Sequence, residues 1–303
     1  MTTIVFAGMS VGAVTWGWVA DTYGRKASLL VSTSIILVAG ASCAFAQSFA
    51  FLLVGRLVVG FGVSGAHVAF SLLVEWMPPR YRGRMGIALC VWWSVGAVAE
   101  ATLARIIMPW LGWRYLLGAS ALPAVLLLCA GPWIPESPRY YVSRGRQAEA
   151  QVSLEMAAIS CGVTLPCGKL ADRSATSNET AKASDLFSPE LRRLTVSQWG
   201  LWFAAAFTYY GCVLITTELL AADRCEYAAP SGDAPAPSAC RALTVSDYNA
   251  NIVATTGELP GIAVTFLLID RLGRKRTIGG EAMVMAVAML LVIPCVSDSF
   301  QVS

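Results

Sequence analysis

The chain has 303 residues, of which 56% are hydrophobic and 14% charged, with a net charge of +3 and a mean hydropathy of +0.61. A chain so apolar and so thinly charged is not an ordinary soluble domain. Its one histidine, His67, excludes a multi-histidine metal site, and nine cysteines without a CxxC pair exclude a zinc framework.

A helix that crosses a bilayer needs about 20 mostly apolar residues. Eight stretches qualify in chain order: 3–20, 27–46, 50–74, 85–108, 113–134, 196–221, 250–269 and 277–296. Helices are the spanning form expected, because lipid offers no partner to exposed peptide groups. Between the first two lies a polar hairpin, Gly17-Trp-Val-Ala-Asp21-Thr-Tyr-Gly24-Arg25-Lys26. Its spacing returns between the last two as Asp270-Arg-Leu-Gly273-Arg274-Lys275. A loop that recurs between hydrophobic segments predicts a duplicated bundle. Gly24 can take positive φ and turn the chain at once. Arg25 and Lys26 belong in the headgroup layer. Asp21, at the membrane edge, can accept from a cation or a helix N-terminus. Gly17 offers another helix a close approach.

Lysine and arginine set the orientation. With the first hairpin in the cytoplasm, that side also holds Arg80, Arg82, Arg84, Arg139, Arg144 and Arg146, and every cation of 169–193 and 271–276. The opposite side holds only Arg114, Arg224 and Arg241. Such asymmetry fixes the topology. Residues 135–195 are then a cytoplasmic connection, and the sequon Asn178-Glu-Thr180 within it carries no sugar. Residues 222–249 form the sizeable outer loop. Cys225 and Cys240 in that loop either bridge in an oxidising lumen or stay free, and the other seven cysteines read as reduced.

Several charges lie in or beside spans. Arg56 enters the third span, where it faces a cavity or partner, or snorkels to the outer surface. Glu100 and Arg105 lie five residues apart, a poor spacing for a helical pair, so each needs its own partner. Glu218 ends the sixth span. Glu258 lies in the seventh beside Thr255 and Thr256, and buried carboxylates there are candidates for cation or proton handling. Glu258-Leu-Pro260-Gly261 also breaks its helix. Gly60-Phe-Gly62-Val-Ser-Gly65 satisfies GxGxxG but follows no strand, so it reads as close helix packing. His67 after it is a packing histidine or a cavity residue. Pro135-Glu136-Ser137-Pro138-Arg139-Tyr140 ends the fifth span, and Glu136 and Arg139 can pair at the surface. No catalytic set and no cofactor motif emerge, and the scattered cations do not make a nucleic-acid face.

The hairpin resembles the signature loop of the major facilitator superfamily, with Thr22 in place of the usual arginine and Phe266 in place of glycine in the second copy. Arg56-x-x-x-Gly60, Glu75-x6-Arg82-Gly-Arg84 and Pro135 to Tyr140 resemble elements of its sugar and organic-ion transporter branch. So do Trp110-Leu-Gly-Trp113-Arg114 and the run from Phe203 to Glu218. The resemblance implies an all-α membrane protein, two pseudo-repeated six-helix bundles around a midplane cavity. About eight of the twelve helices are present, matching the second to the ninth, so the chain is expected to be a fragment. Residues 1–134 would be the N-terminal half bundle, 135–195 the connection, and 196–303 the start of the C-terminal half. The resemblance also implies that Glu75 and Arg82 lock to the Asp-Gly-Arg loop when the carrier is outward-open. The gating set implied is Gly17, Asp21, Gly24, Arg25, Lys26, Glu75, Arg82, Glu136, Arg139, Asp270, Gly273 and Arg274. Expected in the cavity are Arg56, Glu100, Tyr209, Tyr210 and Glu258.

The expected function is secondary transport of a small organic solute by alternating access in a plasma or vesicle membrane, with or without a coupling proton or other ion. The alternative is a membrane protein of the same fold that carries nothing and binds a nucleotide or a protein partner.

Overall fold

Residues 1–78, 80–165, 168, 170, 183–222 and 244–301 are described by the computed structural model of the chain. Apolar runs bounded by glycine, proline and charge become helices. In order these are α1 Thr2–Tyr23, α2 Arg25–Ala44, α3 Phe49–Val63, α4 Ala66–Trp76, α5 Arg82–Ile107, α6 Trp113–Ser120 and α7 Leu122–Ala130. Then come α8 Pro138–Ser143, α9 Gln147–Cys161, α10 Arg192–Ala222, α11 Val245–Thr256, α12 Glu258–Leu272 and α13 Arg274–Gln301.

Among the described residues six stretches are long and apolar enough to cross a membrane: Thr2–Tyr23, Arg25–Ala44, Phe49–Trp76, Arg82–Ile107, Trp113–Trp133 and Val245–Leu272. They coincide with the first five predicted spans and the seventh. The sixth and eighth lie within the unbroken helices α10 and α13.

Three spans depart from the single helices expected. The third divides into α3 and α4 at Ser64-Gly65, and the fifth into α6 and α7, with Pro123 in the first turn of α7. The seventh divides at Gly257 and not at Pro260. Pro260 sits in the first turn of α12, where its missing N–H removes no helical bond.

The chain forms two compact units, Met1–Leu170 with Asn251–Ser303, and Ala171–Ala250. In the second, the start of α10 packs on a 3-10 turn, Ala183–Phe187: Thr195 Oγ1 donates to the Leu186 carbonyl at 3.0 Å, and Phe187 meets Trp199 edge-on at 5.7 Å.

In the first unit α1 crosses α3, α2 packs on α3, α4, α6 and α7, and α5 packs on α12. Glycines set the α1–α3 crossing. A Cβ on Gly8 would overlap the Leu57 carbonyl, and one on Gly60 the Val5 carbonyl. The two backbones are therefore in contact, and GxGxxG here is a packing motif. Gly17 plays no such part: nothing lies within 4 Å of where its Cβ would stand, and the close approach falls at Gly8 and Gly12 instead. Below the crossing Trp16 is 4% exposed, packs with Ala20 and Val68, and donates its indole N–H to the Phe61 carbonyl at 2.7 Å.

Candidate functional site

Gly24 holds φ at +106° and is the single residue between α1 and α2. The first N–H groups of a helix have no partner within it. Glu136, brought by the Pro135–Pro138 corner, supplies one. Its carboxylate accepts from the backbone N–H of Arg25 at 3.0 Å, of Lys26 at 3.1 and 3.2 Å, and of Ser137 at 2.9 Å. A carboxylate on a helix N-terminus also gains from the helix dipole. This corrects the expected surface pair of Glu136 with Arg139, which is exposed and lies apart. A Cβ on Gly24 would overlap the Glu136 carboxylate, so the glycine is required by space as well as by φ.

Ser137 ties this corner to α4. Its hydroxyl donates to Glu75 and accepts from the backbone N–H of Arg139 at 3.2 Å, capping α8. Glu75 also meets the Arg25 guanidinium at 3.3 Å. Arg25 reaches Asp21 at 3.1 Å and the Ala20 carbonyl at 3.2 Å, and lies 5.6 Å over the Tyr140 ring. The side chains of Arg25 and Glu75 are each 16% exposed, whereas Asp21 is 76% exposed. The sheltered Arg25–Glu75 pair therefore carries the cluster, and the solvated Asp21 contact contributes little. Arg144 donates to the Asp21 and Thr22 carbonyls at 2.8 and 2.9 Å, and Lys26 Nζ to the Pro132 carbonyl at 3.4 Å. Nearby, burial and then the Glu136 and Glu149 carboxylates push the Tyr141 phenol up.

The second loop turns on Gly273, with φ +79°. Asp270 pairs with Arg84 of α5, and the Arg274 guanidinium lies 3.3 Å from where a Cβ on Gly83 would stand. The resemblance implied a lock of Arg82 to a signature loop. Arg82 instead donates to the Met77 carbonyl at 3.1 Å. Two residues apart on a helix point in different directions, so one arginine of Arg82-Gly-Arg84 faces the loop and the other does not.

Further along the same two helices the fully buried Ser94 donates its hydroxyl to Glu258 at 2.8 Å. Ser94 carried no signal in the sequence, because a serine within an apolar span is unremarked until its partner is known. Glu100 accepts from Ser120 of α6 at 2.6 Å, the separate partner its spacing required. Arg56 is half-buried on α3, with no ion pair among the described residues. Tyr209 and Tyr210 meet edge-on at 5.2 Å in the second unit. Cys43, Cys90, Cys129 and Cys161 are free thiols. Cys225, Cys240 and Asn178 lie outside the described residues.

The structure thus brings Asp21, Gly24, Arg25, Lys26, Glu75 and Glu136 into one cluster and Asp270, Gly273 and Arg274 into another, linked to α5 by Arg84. A profile described as "Sugar (and other) transporter" matches residues 1–223. The chain belongs to this family, within the major facilitator superfamily. It is an integral membrane protein.

Among relatives, the Synaptic vesicle 2-related protein of Xenopus laevis is 39% identical over 300 residues, spanning 98% of this chain and 54% of the relative. Organic cation/carnitine transporter 7 of Arabidopsis thaliana is 34% identical over 311 residues, spanning 91% of this chain and 61% of the relative. The chain thus spans little more than half the length of the curated relatives it matches. The xylose transporter XylE from E. coli, in a partially occluded inward open conformation, superposes with a TM-score of 0.56 at 16% identity. That match covers 90% of this chain and 62% of XylE, and it shows the fold.

Proposed function

We propose that this chain forms part of a secondary transporter for a small organic solute, working by alternating access, with the Arg25–Lys26 end in the cytoplasm. The family is one of membrane transporters, and the distribution of lysine and arginine supports the orientation. The observation that carries the reading is the α5–α12 pair. Arg84 meets Asp270 and Ser94 meets Glu258, so the two helices run antiparallel and are bridged at one end and again ten residues further along α5. Opening the basic end of the molecule means parting that pair. Arg84 and Asp270 are each 46% exposed, and an ion pair so solvated contributes well under about 1 kcal/mol. A contact of that strength closes a gate without locking it. In this reading Glu258 is the carboxylate that handles a cation or proton, and Arg56 and Glu100 of the same unit are further cavity residues.

The test is counterflow of radiolabelled organic cations, organic anions and sugars in vesicles reconstituted with the protein. Exchange of one class, reduced in Glu258→Gln, supports the reading. Saturable binding of a solute with no exchange in the unaltered protein overturns it and favours a binding role.

A further inference from the structure

A cavity of about 370 Å³ between α1 and α4 runs beside the Arg25 cluster, and neither bridge of the α5–α12 pair uses it. His67, Ser71 and Glu75 of α4 line it, with Asp21 of α1 and Arg25 of α2. The α4 residues are spaced by four, so they form one stripe, and about 12 Å of helix separates His67 from Glu75. His67 is exposed, and the cavity is large enough for several waters. The stripe therefore sets three polar groups along the cavity between the middle of the span and the basic end.

The histidine is prepared for a proton. Its Nδ1 lies 3.2 Å from the Ser64 carbonyl oxygen. A carbonyl only accepts, so Nδ1 carries the hydrogen and Nε2 keeps a lone pair. The charges lining the cavity are Asp21 and Glu75 against Arg25, one negative charge in excess. His67 is the remaining titratable side chain of that lining, and a proton on it makes the set neutral. Around it, Arg144 of α8 lies on the Asp21 and Thr22 carbonyls, Glu136 on the N-terminus of α2, and Lys26 on the Pro132 carbonyl.

We propose that His67 is a proton-accepting site, filled from the basic side of the membrane through this cavity, with Ser71 and Glu75 as the groups that pass the proton inward. In the final step a hydronium ion gives its proton to Nε2. One O–H bond breaks, one N–H bond forms, a water molecule leaves, and the Nδ1–H bond to Ser64 is kept. This names the proton as coupling ion, and it rests on the transporter reading only for the use made of that proton.

The experiment is solid-state NMR of ¹⁵N-histidine in the protein, reconstituted with one orientation into vesicles and assigned by the signal lost in His67→Gln. The expected spectrum is the neutral Nδ1–H tautomer. It converts to imidazolium when the basic side is acidified with the other side held constant. Ser71→Leu, which removes the hydroxyl and puts an apolar branch in the stripe, leaves the neutral spectrum unchanged at the same step, while Ser71→Thr, which keeps the hydroxyl, still converts. Conversion that follows the opposite side, conversion unaffected by Ser71→Leu, or no conversion in the unaltered protein overturns the proposal. Counterflow without a pH gradient, on the same vesicles, separates the two readings: its absence beside a converting His67 removes transport and leaves the proton site.

Discussion

Ser94 and Glu258, 164 positions apart in the chain, are joined by a hydrogen bond of 2.8 Å between α5 and α12. A fully buried hydroxyl with a charged acceptor is worth about 1.5–3 kcal/mol, and its loss takes one bond from the carboxylate as well. Ser94→Ala should lower the midpoint of thermal unfolding in detergent and widen the α5–α12 distance measured between spin labels on the two helices. An unchanged distance would mean that packing alone holds the pair.

The Arg84–Asp270 contact should behave as a solvated ion pair. Arg84→Glu should open the basic end in a larger fraction of molecules, and adding Asp270→Arg should return that fraction to the starting value. The coupling energy expected is below about 1 kcal/mol, and raised ionic strength should diminish it. Arg82→Glu should not be rescued by the same second change, because its guanidinium is turned to Met77. Spin-label distances across the basic end read all of these.

Removing the Glu136 carboxylate strips three backbone N–H groups of their acceptor. Glu136→Ala should cost about 1–3 kcal/mol of stability, and Glu136→Gln less, because the amide oxygen still accepts. Arg139→Ala should fall within about 0.5 kcal/mol of the unaltered protein, as an exposed side chain apart from the cluster. Chemical unfolding of the three variants in one detergent compares them.

Two glycines of the first unit should respond oppositely. Gly60→Val forces a side chain against the Val5 backbone and should cost about 3 kcal/mol or more. Gly17→Ala meets open space and gains helix propensity of up to about 1 kcal/mol. Unfolding midpoints that ranked the two the other way would refute the assignment of the α1–α3 crossing to Gly8, Gly12 and Gly60.

Much of the fold could be read from the residues because lipid permits so few solutions. Runs of about 20 apolar residues bounded by cations have to be helices, and all eight predicted stretches are helical. The turn at Gly24 followed equally from local chemistry. What escaped the sequence was every contact chosen by distant chain. Glu136 lies 111 residues from Arg25, and nothing near Glu136 shows that its carboxylate caps α2 and not its neighbour Arg139. The choice of Arg84 over Arg82 depends on the rotation of α5 about its axis, which the composition of the triplet leaves open. Gly17 and Gly12 are alike as letters, and only the crossing point of α3 tells them apart.

Because α1 and α3 touch backbone to backbone at Gly8 and Gly60, no bendable side chain lies between them there to absorb a change of angle. That crossing is a weld, while the α5–α12 seam is bridged at two polar points by one serine, two carboxylates and an arginine, and under the transporter reading it is the place that parts. Swapping residues in the seam could retune how readily the protein changes state, whereas the weld can be altered only by dismantling the block it joins.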